Sequence, residues 1–278
     1  MRHSSEVLAV MIEGDYVHGY TDRESERLVD QANTLTALLH SDTAYPAGAV
    51  VLEPGCGVGA QTVTLARNSP DALIVSLDLA QASLASARER VASAGITNVD
   101  FAQADVYSLP FASGTFDHVF VCFVLEHLPR PMAALSRLKT LLKPGGTMTV
   151  IEGDHGSAYF HPDSPAARRA IHCLIELQAR ADGNSLIGRE LYPLLVRAGF
   201  RNVHVSPRLV YADANRPDLV EGFTRNTFAT MVEGVRKGAL QTGLIDESTW
   251  DQGIADLYRT AEPDGTFCYT FFKAVAMK

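Results

Sequence analysis

Apolar runs of strand length alternate with helically spaced segments through the first half of the chain. Val50-Val51-Leu52, Leu73-Ile74-Val75-Ser76-Leu77, Val99 to Ala104, Phe116 to Phe123 and Met148 to Glu152 are the runs. Short, near-continuous apolar runs suit strands buried on both faces. Between them, Ala60 to Ala66 opens a helix, and Gln81 to Ala94 brings Leu84, Ala87 and Val91 to one face before Gly95 stops it. Pro131 opens another helix, with Leu135, Leu138 and Leu142 facing inward. Ahead of them all, Thr21-Asp22-Arg23-Glu24 is a capping box for a helix carrying Leu28, Ala32, Leu35 and Leu39 on one side. Strands alternating with helices of this length predict an α/β fold, a parallel sheet covered on both faces.

After Asp154 the pattern changes. His161 to Pro165 reads as a turn, and Ser164-Pro165 starts a helix carrying Ile171, Leu174, Ile175 and Gln178. Gly188 to Ala198 reads as a helix stopped by Gly199, and Phe200 to Val210 as an alternating strand. Residues 213–264 are mainly helical, and 265–278 form a strand rich in aromatics. The expected organisation is an N-terminal arm and helix over 1–45, a core over 46–212, a helical cap over 213–264 and a closing strand over 265–278. An insertion near the carboxyl ends of parallel strands covers the ligand crevice. The cap and the first twenty residues are therefore expected to form a lid.

The first strand runs into Glu53-Pro54-Gly55-Cys56-Gly57-Val58-Gly59. Glycines allow the sharp turn from strand to helix and the close approach of a ligand to the backbone. A dinucleotide fingerprint has the spacing Gly-x-Gly-x-x-Gly. Here the third glycine comes one residue early and a carboxylate precedes the first. That loop is a poor cradle for phosphate and a good partner for a cationic nucleoside. Asp78 closes the second run and is placed to accept ribose hydroxyls; as an acid before a helix it is equally suited to capping. Asp105 closes the third run, and Phe123-Val124-Leu125-Glu126-His127 ends the fourth.

This ordered set, from Val50 through Pro144-Gly145-Gly146, resembles the class I S-adenosylmethionine-dependent methyltransferases over roughly residues 47–155. The resemblance implies a Rossmann-like, seven-stranded, mostly parallel sheet ending in an antiparallel hairpin, which some fifty residues interrupt in this chain. It implies S-adenosylmethionine as cofactor and S-adenosylhomocysteine as product. Glu53 then acts near the methionine ammonium through the loop or a water, and Gly55, Gly57 and Gly59 meet the cofactor by backbone. Asp78 takes the ribose and Leu79 lies against the adenine. Asp105 accepts from the adenine amino group with Val106 beside it, and Phe123 and Val124 contact the methionine end by backbone. His127 supports the loop.

Composition narrows the partners. The net charge is −8 and no Lys/Arg cluster occurs, which argues against a nucleic-acid substrate. The four cysteines are scattered with no metal spacing, so no metal is expected and a reducing cytoplasm suits the chain. No apolar run is long enough to span a bilayer, and residues 1–20 lack the features of a signal peptide. A small-molecule substrate is expected, with a monomer and a homodimer both open.

On the substrate side, Glu152, Asp154 and His155 follow the fifth strand, whose carboxyl end points into the crevice. With Tyr20 they are the candidate proton acceptors, Asp154 being first choice. Arg189 and Arg225 are expected to face solvent or pair with acids. Tyr16, His18 and Tyr20 precede the first helix, either as packing of a terminal arm or over the cofactor, where Tyr16 and Tyr20 contact it. The segment Tyr16-Val17-His18-Gly19-Tyr20 resembles a microbial branch of natural-product methyltransferases that includes enzymes acting on the C3 carbon of indoles. What the resemblance implies is a nitrogen-containing aromatic acceptor. A quinone- or lipid-precursor methyltransferase, a non-catalytic cofactor-binding protein and a nicotinamide oxidoreductase are the competing readings.

Overall fold

The computed structural model describes the backbone of residues 22–278, with side chains from Gln31 onward. The chain runs α1 (Asp22–His40), β1 (Val50–Pro54), α2 (Ala60–Asn68), β2 (Leu73–Asp78), α3 (Gln81–Ser93), β3 (Val99–Gln103), β4 (Phe116–Cys122), α4 (Pro131–Leu141) and β5 (Leu142–Gly153). Then follow β6 (Tyr159–His161), α5 (Pro165–Arg180), α6 (Leu191–Arg197) and β7 (Arg201–Ala212). The short α7 (Pro217–Leu219) continues through a π-helical stretch (Val220–Ala229) into α8 (Thr230–Glu233). Next come α9 (Arg236–Gln241), α10 (Glu247–Arg259) and β8 (Thr266–Met277).

The strands form one Rossmann-like sheet in the order β3-β2-β1-β4-β5-β8-β6, with β7 also paired to β8. The first five are mutually parallel, and β8 runs antiparallel to β5, β6 and β7. Side chains alternate across the sheet. Val51, Phe120 and Ile151 join one core with Leu35, Leu39, Leu65 and Leu174. Leu52, Val119, Val121 and Val150 join the other with Leu135, Leu138, Leu194 and Leu195. This is why the runs read as continuously apolar: both faces are covered.

Two details differ from the sequence expectation. The sheet has an eighth strand, β6, which pairs with the first residues of β8 beyond the end of β5. The helix expected from Gly188 starts at Leu191, after a 3₁₀ turn over Ile187–Glu190. Gly188 packs against the main chain of β5, where a Cβ would lie 2.6 Å from the Gly153 carbonyl oxygen. The expected hairpin is present as β7 and β8, and residues 213–265 enter between its strands at the carboxyl end of the sheet. Their helices pack on α1 and α5.

A buried ammonium ties α1 to the sheet. Lys273 on β8 is 3% exposed. Its Nζ donates to the Leu39 carbonyl (3.2 Å), Asp42 Oδ1 (2.6 Å) and Thr43 Oγ1 (2.5 Å). Arg208 on β7 donates to the same Asp42 carboxylate. Asp42→Asn should therefore cost about 1.5–3 kcal/mol of unfolding free energy in urea titration, the range for hydrogen bonds to charged groups. Asp163→Asn, which breaks the exposed pair with Arg168, should cost under about 1 kcal/mol. Equal effects would show that Lys273 does not depend on Asp42.

Candidate active site

The crevice lies at the carboxyl ends of β1 and β4, where the strand order reverses, the position at which open α/β sheets bind ligands. The glycine loop leaves β1 there. Gly55, Gly57 and Gly59 all have positive φ, at 71°, 52° and 77°. Two of them are also pinned sterically. A Cβ on Gly55 would sit 2.6 Å from Val124 Cγ2, and one on Gly59 would sit 3.0 Å from Ala87. Gly57 faces open space. Gly59 caps α2 without a side-chain hydrogen bond, so the first amides of that helix are left for a ligand.

Glu53 is 3% exposed. Thr62 from α2 and Ser76, its partner across β2, both donate to its Oε2, at 2.8 and 2.6 Å. Burial pushes its carboxyl up to about 7, with Asp78 adding to the rise. An acid held this way favours a cation arriving in the loop.

Asp78 ends β2. Its Oδ2 accepts from Gly57 N–H (2.8 Å) and its Oδ1 from Ala80 N–H (2.9 Å). It is not the N-cap of α3, which is Ala80. It spans the loop and the helix start instead. An ionised carboxylate has about four acceptor positions, so two remain for ribose hydroxyls. Leu79 beside it is 67% exposed, a large apolar surface next to that carboxylate. Asp105 turns the chain after β3, its Oδ1 accepting from Tyr107 N–H at 2.9 Å, with Val106 half-buried alongside. These groups fit the purine, ribose and cationic parts of S-adenosylmethionine, and they are the residues that would hold it.

The end of β4 is under strain. Phe123 has φ of 57°, which a residue with a side chain rarely adopts. Its N–H donates to the Ile151 carbonyl (2.9 Å). The next two amides, of Val124 and Leu125, both donate to Glu152 Oε1, at 3.1 and 2.8 Å. Glu152 is completely buried, and burial together with the neighbouring Glu126 pushes its carboxyl well above the ordinary range. Glu152 thus holds the turn after β4.

Asp154 is locked. Arg189 Nε donates to its Oδ2 and Nη2 to its Oδ1, both at 2.7 Å, and Gly156 N–H adds a third bond. Arg189 pairs with an acid as expected, and so does Arg225, with Glu221 and Glu262. His155 is 5% exposed, and its Nδ1 lies 2.7 Å from the Tyr269 hydroxyl. Tyr269 belongs to an aromatic wall with Phe223, Phe228, Phe267 and Phe271, and Phe271 meets Phe123 at 5.5 Å. Glu126 is buried beneath α5, where Gln178 Nε2 donates to its carbonyl and to its Oε2. His127 lies 3.6 Å from Glu126. Tyr16, His18 and Tyr20 lie outside the described residues.

The structure brings Glu53, the three glycines, Asp78, Phe123 and Val124 around one crevice, with Glu152, Asp154 and His155 at its β5 side. Sequence reasoning missed the roles of Tyr269 and the Phe223 and Phe228 wall. It placed Gln178 on an otherwise apolar helix face, and a polar residue in such a position was the available signal.

Comparisons with known proteins bear on the fold and the family. Residues 52–150 match the family described as a methyltransferase domain. The chain is 32% identical over 183 residues to an uncharacterized 37.1 kDa protein in a transposon of Streptomyces fradiae, covering 65% of this chain and 52% of that one. It is 33% identical over 168 residues to an uncharacterized methyltransferase of Schizosaccharomyces pombe, covering 56% and 59%. Phosphoethanolamine N-methyltransferase 2 of Haemonchus contortus was solved with phosphomonomethylethanolamine and S-adenosylhomocysteine. It superposes with a TM-score of 0.55 at 17% identity, over 90% of this chain and 52% of that one, a likeness of fold. The chain spans between 52% and 59% of the length of these two curated relatives. Residues 52–150 thus carry the match to a methyltransferase domain, and the fold is shared with a methyltransferase solved with S-adenosylhomocysteine. Among the described residues no helix is long and apolar enough to cross a membrane.

Asp78→Ala removes the acceptor of two backbone amides and the carboxylate expected to take the ribose. S-adenosylmethionine affinity should fall by about 1.5–3 kcal/mol in calorimetry, as for lost hydrogen bonds to a charged group. Unchanged affinity would remove Asp78 from the ribose site.

Proposed function

We propose that this protein is an S-adenosylmethionine-dependent methyltransferase whose acceptor is a small, flat, nitrogen-containing aromatic. Methylation of an indole-type ring is the leading case. The observation that carries the reading is the pairing of the glycine loop with the wall beside it. Buried acids (Glu152, Glu126) and tilted, contacting aromatic rings (Phe123, Phe271, Tyr269) meet at the carboxyl ends of β4 and β5. Residues 213–264 enter at that end, and we assign them as the lid.

S-adenosylmethionine supplies an already activated methyl group. The chain's task is to hold the acceptor in line and keep water out. Such positioning can contribute roughly 7–11 kcal/mol. The strained Phe123 turn, clamped by Glu152, gives that end of the crevice a single conformation. An acceptor that must lose a proton also needs a base within hydrogen-bond range. Asp154 is badly placed for that role, because a proton arriving there must displace a two-pronged arginine. Glu152 keeps one oxygen, Oε2, for it, and burial raises the proton affinity of its carboxylate. We therefore place Glu152 ahead of His155 and Asp154 as proton acceptor, and assign Asp154 to fixing the β5–α6 connection through Arg189.

The test is turnover of S-adenosylmethionine with a panel of indoles and other aromatic amines, the methylated product identified by mass. Glu152→Gln should lower turnover by ~10²–10⁴-fold, the usual cost of a lost base, with cofactor affinity little changed. Asp154→Asn should lower thermal stability more than turnover. Full turnover in Glu152→Gln would remove it as base. Methylation confined to phenolic quinone precursors would keep the enzyme and overturn the nitrogen acceptor.

A further inference from the structure

Buried polar atoms in folded proteins are nearly always hydrogen-bonded, so a group of buried atoms with no partner marks a place where something else supplies one. Three such atoms lie on β5, on α5 and in the connection that follows α5. Glu152 Oε2 has no hydrogen-bond partner although the residue is 0% exposed. Gln178 Oε1 has none at 1% exposure, and Ser185 Oγ none at 2%.

They belong to one network. Glu152 Oε1 holds the amides of Val124 and Leu125, at the start of the turn that carries Glu126. The Glu126 carbonyl accepts from Asn184 N–H (2.7 Å) and from Gln178 Nε2 (3.2 Å). The Ser185 carbonyl accepts from His155 N–H (2.9 Å). The Gln178 amide cannot be turned over to relieve its oxygen. Its Nε2 faces two acceptors of Glu126, and a flip would set oxygen against oxygen.

The chemistry of the set is one-sided. A carboxylate oxygen and an amide oxygen accept only, and a hydroxyl can accept. No arginine or lysine is bonded to Glu126 or Glu152, since Arg189 is spent on Asp154. Such a site repels carboxylates and phosphates and takes hydrogen-bond donors.

We propose that Glu152 Oε2, Gln178 Oε1 and Ser185 Oγ form the recognition subsite for a nitrogen-bound hydrogen, N–H or N–H⁺, of the molecule occupying the acceptor end of the crevice. This rests on the methyl-transfer reading and deepens it. It assigns Gln178 and Ser185 to specificity and excludes anionic acceptors at this point.

Matched probes test it on the full chain loaded with S-adenosylhomocysteine. Indole is titrated against benzofuran, which has the same shape without the N–H, and benzylamine against toluene. The donor-bearing member of at least one pair should bind roughly 10- to 100-fold more tightly, as expected for a hydrogen bond to a charged group. Which pair responds separates neutral N–H from ammonium recognition. Glu152→Gln keeps an oxygen for Val124 and Leu125 and puts an amide donor where Oε2 was. It should abolish the preference while leaving S-adenosylhomocysteine affinity intact. Gln178→Leu should reduce it. The proposal is overturned if neither donor member binds better than its counterpart, or if Glu152→Gln keeps the preference. If S-adenosylhomocysteine itself does not bind, the methyl-transfer reading falls and this subsite with it.

Discussion

Carboxylates buried at the carboxyl ends of parallel strands are the constraint on which this structure depends. Glu53 ends β1 and Glu152 lies near the end of β5, and neither has a cation bonded to it. Removing a carboxylate from water is costly unless it is hydrogen-bonded or neutralised. The fold offsets part of that cost with local donors, two hydroxyls for Glu53 and two amides for Glu152. Those donors do more than compensate. Thr62 and Ser76 fix the start of α2 against β2, and the Val124 and Leu125 amides force Phe123 into its strained turn. The acids that await a ligand are also the acids that shape the crevice.

Where acids are not needed for a ligand, they are paired with cations. Asp154 takes both arms of Arg189, and Asp42 takes Lys273 and Arg208. The second cluster joins α1, β7 and β8, so the helix behind the glycine loop and the hairpin that carries the helical insertion share one ionic anchor. His40, at the end of α1, bonds to Gln61 on α2, and burial lowers its imidazole to about 4, so this link is neutral across ordinary pH. His40 therefore does not titrate near pH 7, while Glu53 inside the crevice does.

Much of this was legible in the sequence because it rests on local rules. Glycines with positive φ announce a turn, and a long apolar run followed by an acid announces a strand end at a crevice. The hairpin was expected from the family resemblance, and its interruption was legible because the strands at Phe200 and Gly265 lie some fifty residues apart. Other features depend on contacts distant in sequence. No local rule pairs Arg189 with Asp154, thirty-five residues apart. None puts a phenylalanine at positive φ, which follows from Glu152 pulling two amides inward. The strand β6 is three residues long and exists because β8 overruns β5. Asp78 read as a cap or a ribose acceptor, and its bond to Gly57 shows a third use, bridging the loop.

The central claim is that Glu53 is a buried acid waiting for a cation, and proton counting tests it. Its carboxyl titrates near 7 in the free protein, against an ordinary value of 4.5. Folding therefore favours its protonated form, and its contribution to stability is full below 4.5 and lost as pH rises to about 7. A bound sulfonium and ammonium favour the charged form, so loading the cofactor must expel the proton. Calorimetry of S-adenosylmethionine binding at pH 7, in buffers of different ionisation enthalpy, gives the number released. The wild type should release up to about half a proton more than Glu53→Gln, and the difference should vanish about 1.5 pH units higher, where the free acid is already ionised. Equal proton counts for the two proteins at pH 7 would contradict the account.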